Sequence, residues 1–435
     1  MLQTARLIVF FGMFLAVAPA AEFRASAVKV DITPERPQWL LGYQARQSDG
    51  VNDPLYHRVV ALDDGRGNRL FIVSTDIAVI SPGYYDTVCG QIKQELGLGP
   101  ETIWWLNTHT HSAPEVGPPG IAGIFLPDRY KQAATGESNP EYSRLCERKL
   151  VDALREAQAK LEPARLGIGV GQSLANINRR ARDADGKVRL GMNPEGPVDR
   201  QIGLIRLERM DGSRIALIAN YPIHGTVLGS ANRKISGDAP GIVATYVEEK
   251  LGGAPMLFIN GAEGNVAPLY SGYPDPRAGH LGEFRVLLGD RILEADKNIS
   301  KTTDRIVLRA TAHTVETPRR AGLAWPADLQ DYTRTADGSS MVLVPVRFLQ
   351  INRDAVLWGS PVELFSEIAT AVREKSPFRY TFYFGLLNGT LGYLPTAQAM
   401  REQGYEPSVS PFTEKVEIDF REAVSGRLKS LRSNR

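Results

Sequence analysis

His109 and His111 stand two residues apart in Asn107-Thr108-His109-Thr110-His111, directly after the apolar run Ile103-Trp104-Trp105-Leu106. On extended backbone this spacing puts both imidazoles on one side, where they can serve one metal ion, or one metal ion and one substrate. The chain has six histidines, at 57, 109, 111, 224, 280 and 313, so imidazole chemistry has few places to occur. His224 follows the apolar run 215–220 through Tyr221-Pro222-Ile223 and opens a second candidate site loop. Strand ends gathered at one edge of an α/β sheet are a usual place for a site. Three acids join the histidines: Asp76 closes Phe71-Ile72-Val73-Ser74-Thr75, Asp238 follows Ser236-Gly237, and Glu263 lies in Asn260-Gly261-Ala262-Glu263-Gly264-Asn265. Carboxylates in such turns can orient ligand histidines, although each is equally suited to capping a helix or closing an Asx turn.

The elements that would position these groups are legible as short β-branched runs alternating with amphipathic stretches, which predicts a mixed α/β domain. Strands are expected at 70–73, 103–106, 204–207, 215–218 and 256–259, and helices at about 141–161, 240–251 and 361–374. The first of these helices carries a one-sided apolar stripe that should face the core. Two long polar loops, 117–139 and 318–340, are candidates for lids or binding surfaces. The first holds an apolar tip, Ile121-Ala122-Gly123-Ile124-Phe125-Leu126, suited either to a lipid-like substrate or to packing back on the domain. Cys89 and Cys146 sit at apolar positions of probable helices, which favours buried free thiols over a disulfide.

With 435 residues, 43% hydrophobic and 23% charged, the chain reads as a folded globular protein with a large core. A net charge of +2 and no basic run interleaved with aromatics exclude nucleic acid as an expected partner. The N-terminus has Arg6, an apolar run from Leu7 to Val17 and an Ala18-Pro19-Ala20 cleavage pattern. That is the form of a secretory signal peptide over 1–20, with one domain over 21–435 and export to the periplasm or beyond. No later segment is apolar enough to span a membrane.

Beyond single residues, an ordered series of segments resembles the neutral/alkaline, non-lysosomal ceramidases and their bacterial relatives. The series runs through Val30-Asp31-Ile32-Thr33-Pro34 with Gly42-Tyr43, Asp53-Pro54-Leu55-Tyr56, and Asn107-Thr108-His109-Thr110-His111-Ser112-Ala113-Pro114. It continues with Asn178-Arg179, Tyr221-Pro222-Ile223-His224-Gly225, and Ile235-Ser236-Gly237-Asp238 through Gly241. It closes with Gly264-Asn265-Val266-Ala267-Pro268, Pro361-Val362-Glu363, and Leu391-Gly392-Tyr393-Leu394-Pro395-Thr396. Each segment alone is weak; their order carries the resemblance. What it implies is a single catalytic domain holding one zinc ion on His109, His224, Glu363 and Tyr393, and cleaving the amide of an N-acyl sphingoid base with metal-activated water. It further implies that His111 and Arg179 face the substrate, with Tyr393 acting as a labile ligand or an acid. Asp76, Asn107, Asp238, Glu263 and Asn265 are expected to support the ligands or touch substrate.

The chain departs from that family in two respects. The family's Gly-Asp-Val-Ser-Pro run reads Gly264-Asn265-Val266-Ala267-Pro268 here, so the serine sometimes proposed as a nucleophile is missing. The tail after Phe412 is also too short for the C-terminal immunoglobulin-like domain of ceramidases proper, which needs about 100 residues. These departures leave the substrate open: a lipid or other small molecule carrying an amide. An alternative keeps zinc but makes the protein an esterase, lactonase or carbohydrate-active enzyme, with the arginine-rich stretch 179–189 gripping an anionic or hydroxylated substrate. A third reading is a non-catalytic binding homologue.

Overall fold

A computed structural model describes residues 22–43, 46–118, 139–271, 280–323 and 325–433. The segment 1–20 and the apolar tip at 121–126 lie outside the described residues.

The principal elements, in chain order, begin with β1 (Arg24–Asp31), β2 (Tyr56–Asp63), β3 (Arg69–Thr75), α1 (Pro82–Leu96), β4 (Ile103–Asn107), α2 (Pro140–Ala159) and β5 (Glu162–Gln172). The hairpin β6 (Asn176–Arg182) and β7 (Val188–Asn193) leads to β8 (Gln201–Arg209), β9 (Arg214–Tyr221), α3 (Asp238–Lys250), β10 (Met256–Asn260), β11 (Val266–Pro268) and α4 (Arg291–Lys297). The last third adds β12 (Leu308–Pro318), β13 (Ser339–Ile351), β14 (Ala355–Gly359), β15 (Glu363–Leu364), α5 (Ser366–Glu374), β16 (Tyr380–Phe384), β17 (Tyr393–Leu394), α6 (Ala397–Glu402), α7 (Tyr405–Val409) and α8 (Val416–Ser433).

Eight strands form the main sheet in the order β10-β9-β8-β5-β1-β2-β3-β4. Its pairs are antiparallel except β9 with β10 and β3 with β4. Alternation of side chains across the pleat divides each strand between two cores. Val60, Leu62, Ile72, Trp104, Ile205, Ile218 and Leu257 face a second sheet, where Leu349, Leu357 and Phe382 meet them. That second sheet runs β12-β13-β14-β16. On the other face of the main sheet, Val59, Phe71, Val73 and Trp105 pack against α1 and α2, and Leu204, Leu217 and Phe258 pack against α3 and α4. α5 and α8 cover the second sheet from outside. Each fully buried Leu, Ile or Phe in these cores contributes about 1.5–3 kcal/mol. The main sheet curls until its ends meet: Ser74 Oγ donates to the Phe258 carbonyl at 2.6 Å, and Asn260 Nδ2 to the Thr108 carbonyl at 3.3 Å. This closure brings the loops after β4, β9 and β10 together.

The expected mixed α/β domain and its five strands are present, and Cys89 and Cys146 are buried free thiols. Among the described residues no separate immunoglobulin-like sandwich follows, because the last element, α8, packs on the second sheet. Two expectations need correction. The helix expected over 361–374 starts only at Ser366; Glu363–Leu364 is extended because it pairs in parallel with Tyr393–Leu394. Much of the expected loop 318–340 is ordered: Ala327–Tyr332 forms a helical turn, Thr333–Ala336 pairs with β13, and Trp325 packs on the core.

Candidate active site

The His109 loop is built by carbonyls at the end of β3. Thr75 and Ile77 accept the backbone N–H groups of Thr108 and His109 at 2.9 and 3.0 Å. The His109 ring then donates from Nδ1 to the Ala78 carbonyl at 3.0 Å. A carbonyl can only accept, so the proton sits on Nδ1 and the Nε2 lone pair is free to face the site. His109 takes a left-handed φ of 65° to make this turn, an uncommon conformation for a residue with a side chain. The His224 loop is stitched to it: His111 N donates to the Gly225 carbonyl at 2.8 Å, and Gly225 N to the His109 carbonyl at 3.1 Å. A Cβ on Gly225 would lie 2.6 Å from Thr110 Cα, so only glycine allows the two loops to approach this closely.

Glu363 reaches the same point from the far end of the chain, fixed by its register opposite Tyr393 and by its N–H to the Gly392 carbonyl at 3.0 Å. Its Oε2 lies 3.4 Å from His109 Nε2 and 3.3 Å from His224 Nε2. His111 Nε2 is 3.5 Å from His109 Nε2. Two overlapping sets of metal-binding atoms result, His109–His111–His224 and His109–Glu263–Glu363, each with its donor atoms within 4.8 Å of one another. Buried Arg179 adjoins them. Its guanidinium donates to Glu406 Oε1, to the Gly264 carbonyl and to His224 Nε2, each at 2.8 Å. The Tyr393 hydroxyl hydrogen-bonds to Glu363 and Arg179.

The electrostatics follow from this packing. Burial alone would raise the Glu363 carboxyl, but the His109 and His224 imidazoles outweigh it and hold Glu363 well below the usual carboxylate range. Burial, reinforced by Arg179, pushes His224 down to about 3. Burial and the two neighbouring imidazoles put His111 well below its ordinary value. Burial, then the charge of Glu363, raises both the Tyr393 phenol and the Glu263 carboxyl well above theirs.

Of the expected site residues, His109, His111, His224, Glu363, Tyr393, Arg179 and Glu263 come together, and others take structural roles. Asp76 is paired with buried Arg58 at 2.8 Å. Asp238 accepts the N–H groups of Val227, Leu228 and Ala239, which fixes the chain just after His224. Asn265 ties its turn to the start of α5, accepting from Ser366 N and donating to Glu367. Asn107 is buried at the end of β4 with neither amide atom hydrogen-bonded. The stretch 179–189 forms the hairpin of β6 and β7 rather than an irregular loop. Arg179 and Arg180 pair with Glu406, Arg182 with Glu402, and Arg189 with Asp183. Sequence reasoning missed Glu406 and Tyr405, whose ring meets that of Tyr393 edge-on with centroids 5.8 Å apart. No local signal marks either residue: Glu406 pairs with arginines more than two hundred positions earlier, and Tyr405 meets Tyr393 across a turn and a short helix.

Known proteins share this architecture. The family described as "Neutral/alkaline non-lysosomal ceramidase, N-terminal" matches residues 23–269. The chain belongs to this ceramidase family. It is 30% identical over 283 residues to Neutral ceramidase A of Dictyostelium discoideum, covering 59% of this chain and 37% of that protein. It is 26% identical over 256 residues to the Neutral ceramidase of Pseudomonas aeruginosa, again covering 37% of the relative. The alignments thus span little more than a third of these relatives. The crystal structure of the neutral ceramidase from Pseudomonas aeruginosa superposes with a TM-score of 0.75 over 95% of this chain and 75% of that one, at 19% identity. That likeness establishes the ceramidase fold around the clustered histidines. No helix among the described residues is long and apolar enough to cross a membrane.

Proposed function

We propose that this family member is a zinc-dependent amidohydrolase acting on an N-acyl sphingoid base or a related amide, exported after removal of the segment 1–20. The carrying observation is the Glu363 carboxylate set between the Nε2 atoms of His109 and His224, with the His109 lone pair aimed by the Ala78 carbonyl. The donor set suits the metal, since zinc takes imidazole nitrogen and carboxylate oxygen in a site that leaves a position open. His109, His224, Glu363 and Tyr393 would hold it. Bound there, zinc would supply Lewis-acid polarisation of the scissile carbonyl and lower the pKa of a water to about 7.

The remaining roles fall to the chain itself. Arg179 Nη1 takes up the Nε2 lone pair of His224 and would yield it when His224 holds the ion. Held by Glu406 and Gly264, Arg179 can then offer the Nη1 N–H that met His224 to a developing oxyanion. His111 lies beside His109 with its Nδ1 buried and unpartnered, placed to hold a polar group of the substrate. Tyr393 stays a phenol where Glu363 faces it, and its service as a ligand requires the ion's charge to reverse that field. Ala267 offers no nucleophile, which leaves water as the attacking group. Arg180, Arg182 and Arg189 are engaged with Glu406, Glu402 and Asp183, so they lend no support to a carbohydrate or lactone substrate.

The test is metal content by elemental analysis beside hydrolysis of an N-acyl sphingosine, for the wild type, His109→Ala and His224→Ala. Zinc should be lost from both variants, and hydrolysis should fall by more than the roughly 100-fold typical of losing an outer-shell partner. A variant that keeps full zinc occupancy, or turnover that survives chelation, sinks the reading.

A further inference from the structure

We propose that Glu263 is a second carboxylate ligand of the metal centre, so that the ion rests between Glu263 and Glu363 as well as on the two histidines. The inference rests on the metal-dependent reading above and goes beyond its ligand set.

Glu263 lies in the turn after β10, fully buried, and neither carboxylate oxygen has a hydrogen-bond partner. A donor oxygen of Glu263 lies within 4.8 Å of the metal-binding atoms of both His109 and Glu363. The chain makes room for it: a Cβ on Gly385 would fall 2.8 Å from Glu263 Oε2 and 2.3 Å from the Gly261 carbonyl, so a side chain there would collide with this carboxylate. The turn is otherwise well satisfied. Asn260, three residues earlier, donates to the Ile223 and Thr108 carbonyls and accepts from Ile223 N. Only the carboxylate is left over.

Charge points the same way. Three buried glutamates, 263, 363 and 406, face two buried guanidiniums, those of Arg179 and Arg180, and both guanidiniums pair with Glu406. Both guanidiniums are thus engaged with Glu406, and among the described residues Glu263 is left with no ion-pair partner on the side where it adjoins Glu363. A buried carboxylate without a partner is costly, and either a proton or a cation relieves it. A divalent ion held by Glu363 and the histidines lies within reach of Glu263, and a second hard oxygen donor is a ligand that Zn2+, Co2+ and Mn2+ all accept.

The experiment uses the full chain stripped of metal and titrated with Zn2+ against a chromophoric chelator, and with Co2+ followed by its visible absorption. Wild type, Glu263→Gln, Glu263→Asp and His224→Ala are compared, with circular dichroism to confirm folding. Glu263→Gln should weaken Zn2+ binding by more than about tenfold and change the Co2+ spectrum, while Glu263→Asp, keeping the charge, retains part of the affinity. Wild-type affinity and an unchanged Co2+ spectrum in Glu263→Gln would show a protonated bystander and overturn the inference. If His224→Ala binds as tightly as wild type, the metal-dependent reading itself fails, whatever Glu263 does.

Discussion

Two clusters of buried charge lie on the main sheet and its loops, and they differ in how their charges balance. In the first, Arg58 Nη1 meets Asp76 at 2.8 Å, Arg58 Nε meets Glu248 at 2.7 Å, and Lys29 closes on Glu248 at 2.6 Å. Two cations stand against two carboxylates, with backbone N–H groups of Tyr56 and Met256 adding further bonds. In the second, Glu263 and Glu363 stand among the imidazoles, and the nearby Arg179 and Arg180 are already held by Glu406. The carboxylates of both are buried, so burial does not separate a structural cluster from a functional one. The mismatch does: a buried carboxylate with no donor calls for a proton or a cation to complete it.

Breaking the balanced cluster should therefore be the most damaging change to stability. Arg58→Met strips Asp76 and Glu248 of their shared cation and should cost about 3–5 kcal/mol. Chemical denaturation measures it directly. A loss below about 1 kcal/mol, the ordinary value of an exposed ion pair, would remove the contrast between the clusters.

A smaller effect comes from His57, beside Arg58 on β2. Its Nε2 donates to the Cys146 carbonyl at 3.1 Å, so Nδ1 accepts from the Thr75 hydroxyl at 2.8 Å. Burial pushes the ring down to about 4 from the usual 6.5, despite the opposing hydrogen bond to Cys146. The unfolded chain thus binds this proton more readily than the native one, and native stability falls as pH drops from 6.5 through 4. The loss is on the order of 3 kcal/mol, since each pH unit separating the native from the unfolded imidazole is worth about 1.4 kcal/mol. His57→Gln should flatten that acid limb in stability measured against pH. An unaltered limb would mean that His57 does not govern it.

How far the sequence reveals this molecule depends on the range of the interactions involved. β3, β4, β8, β9 and β10 stand out as apolar, β-branched runs, because each buries both faces in one stretch. β5 is hidden: Gly167, Gly169 and Gly171 occupy the face on which Ile299 and Ala295 pack, so the usual alternation is absent. His109 and His224 are visible through their strand-end contexts. The local pattern puts Glu363 on a helix, whereas its extended backbone follows from pairing with Tyr393, thirty positions away. The arginines of 179–189 read as a ligand grip because Glu402 and Glu406, which hold three of them, lie more than two hundred residues on. Glu263 is legible as an acid near the site, but that it has no partner is a property of packing alone.

That missing partner gives the smallest expected effect, and the one of opposite sign. In metal-stripped protein, Glu263→Met replaces an uncompensated carboxyl with an apolar side chain of similar length, in surroundings that give the carboxyl no donor. The stripped variant should gain roughly 1–3 kcal/mol in stability, the usual size of an unsatisfied buried polar group. Wild type, by contrast, should be stabilised by added zinc far more than the variant is, since only ions that bind the native state raise its stability. Denaturation of both proteins with and without zinc gives all four values. A gain without metal together with a loss of the zinc response is what a site strained for its ligand must show. If Glu263→Met destabilises the stripped protein as Arg58→Met does, Glu263 belongs with the balanced cluster.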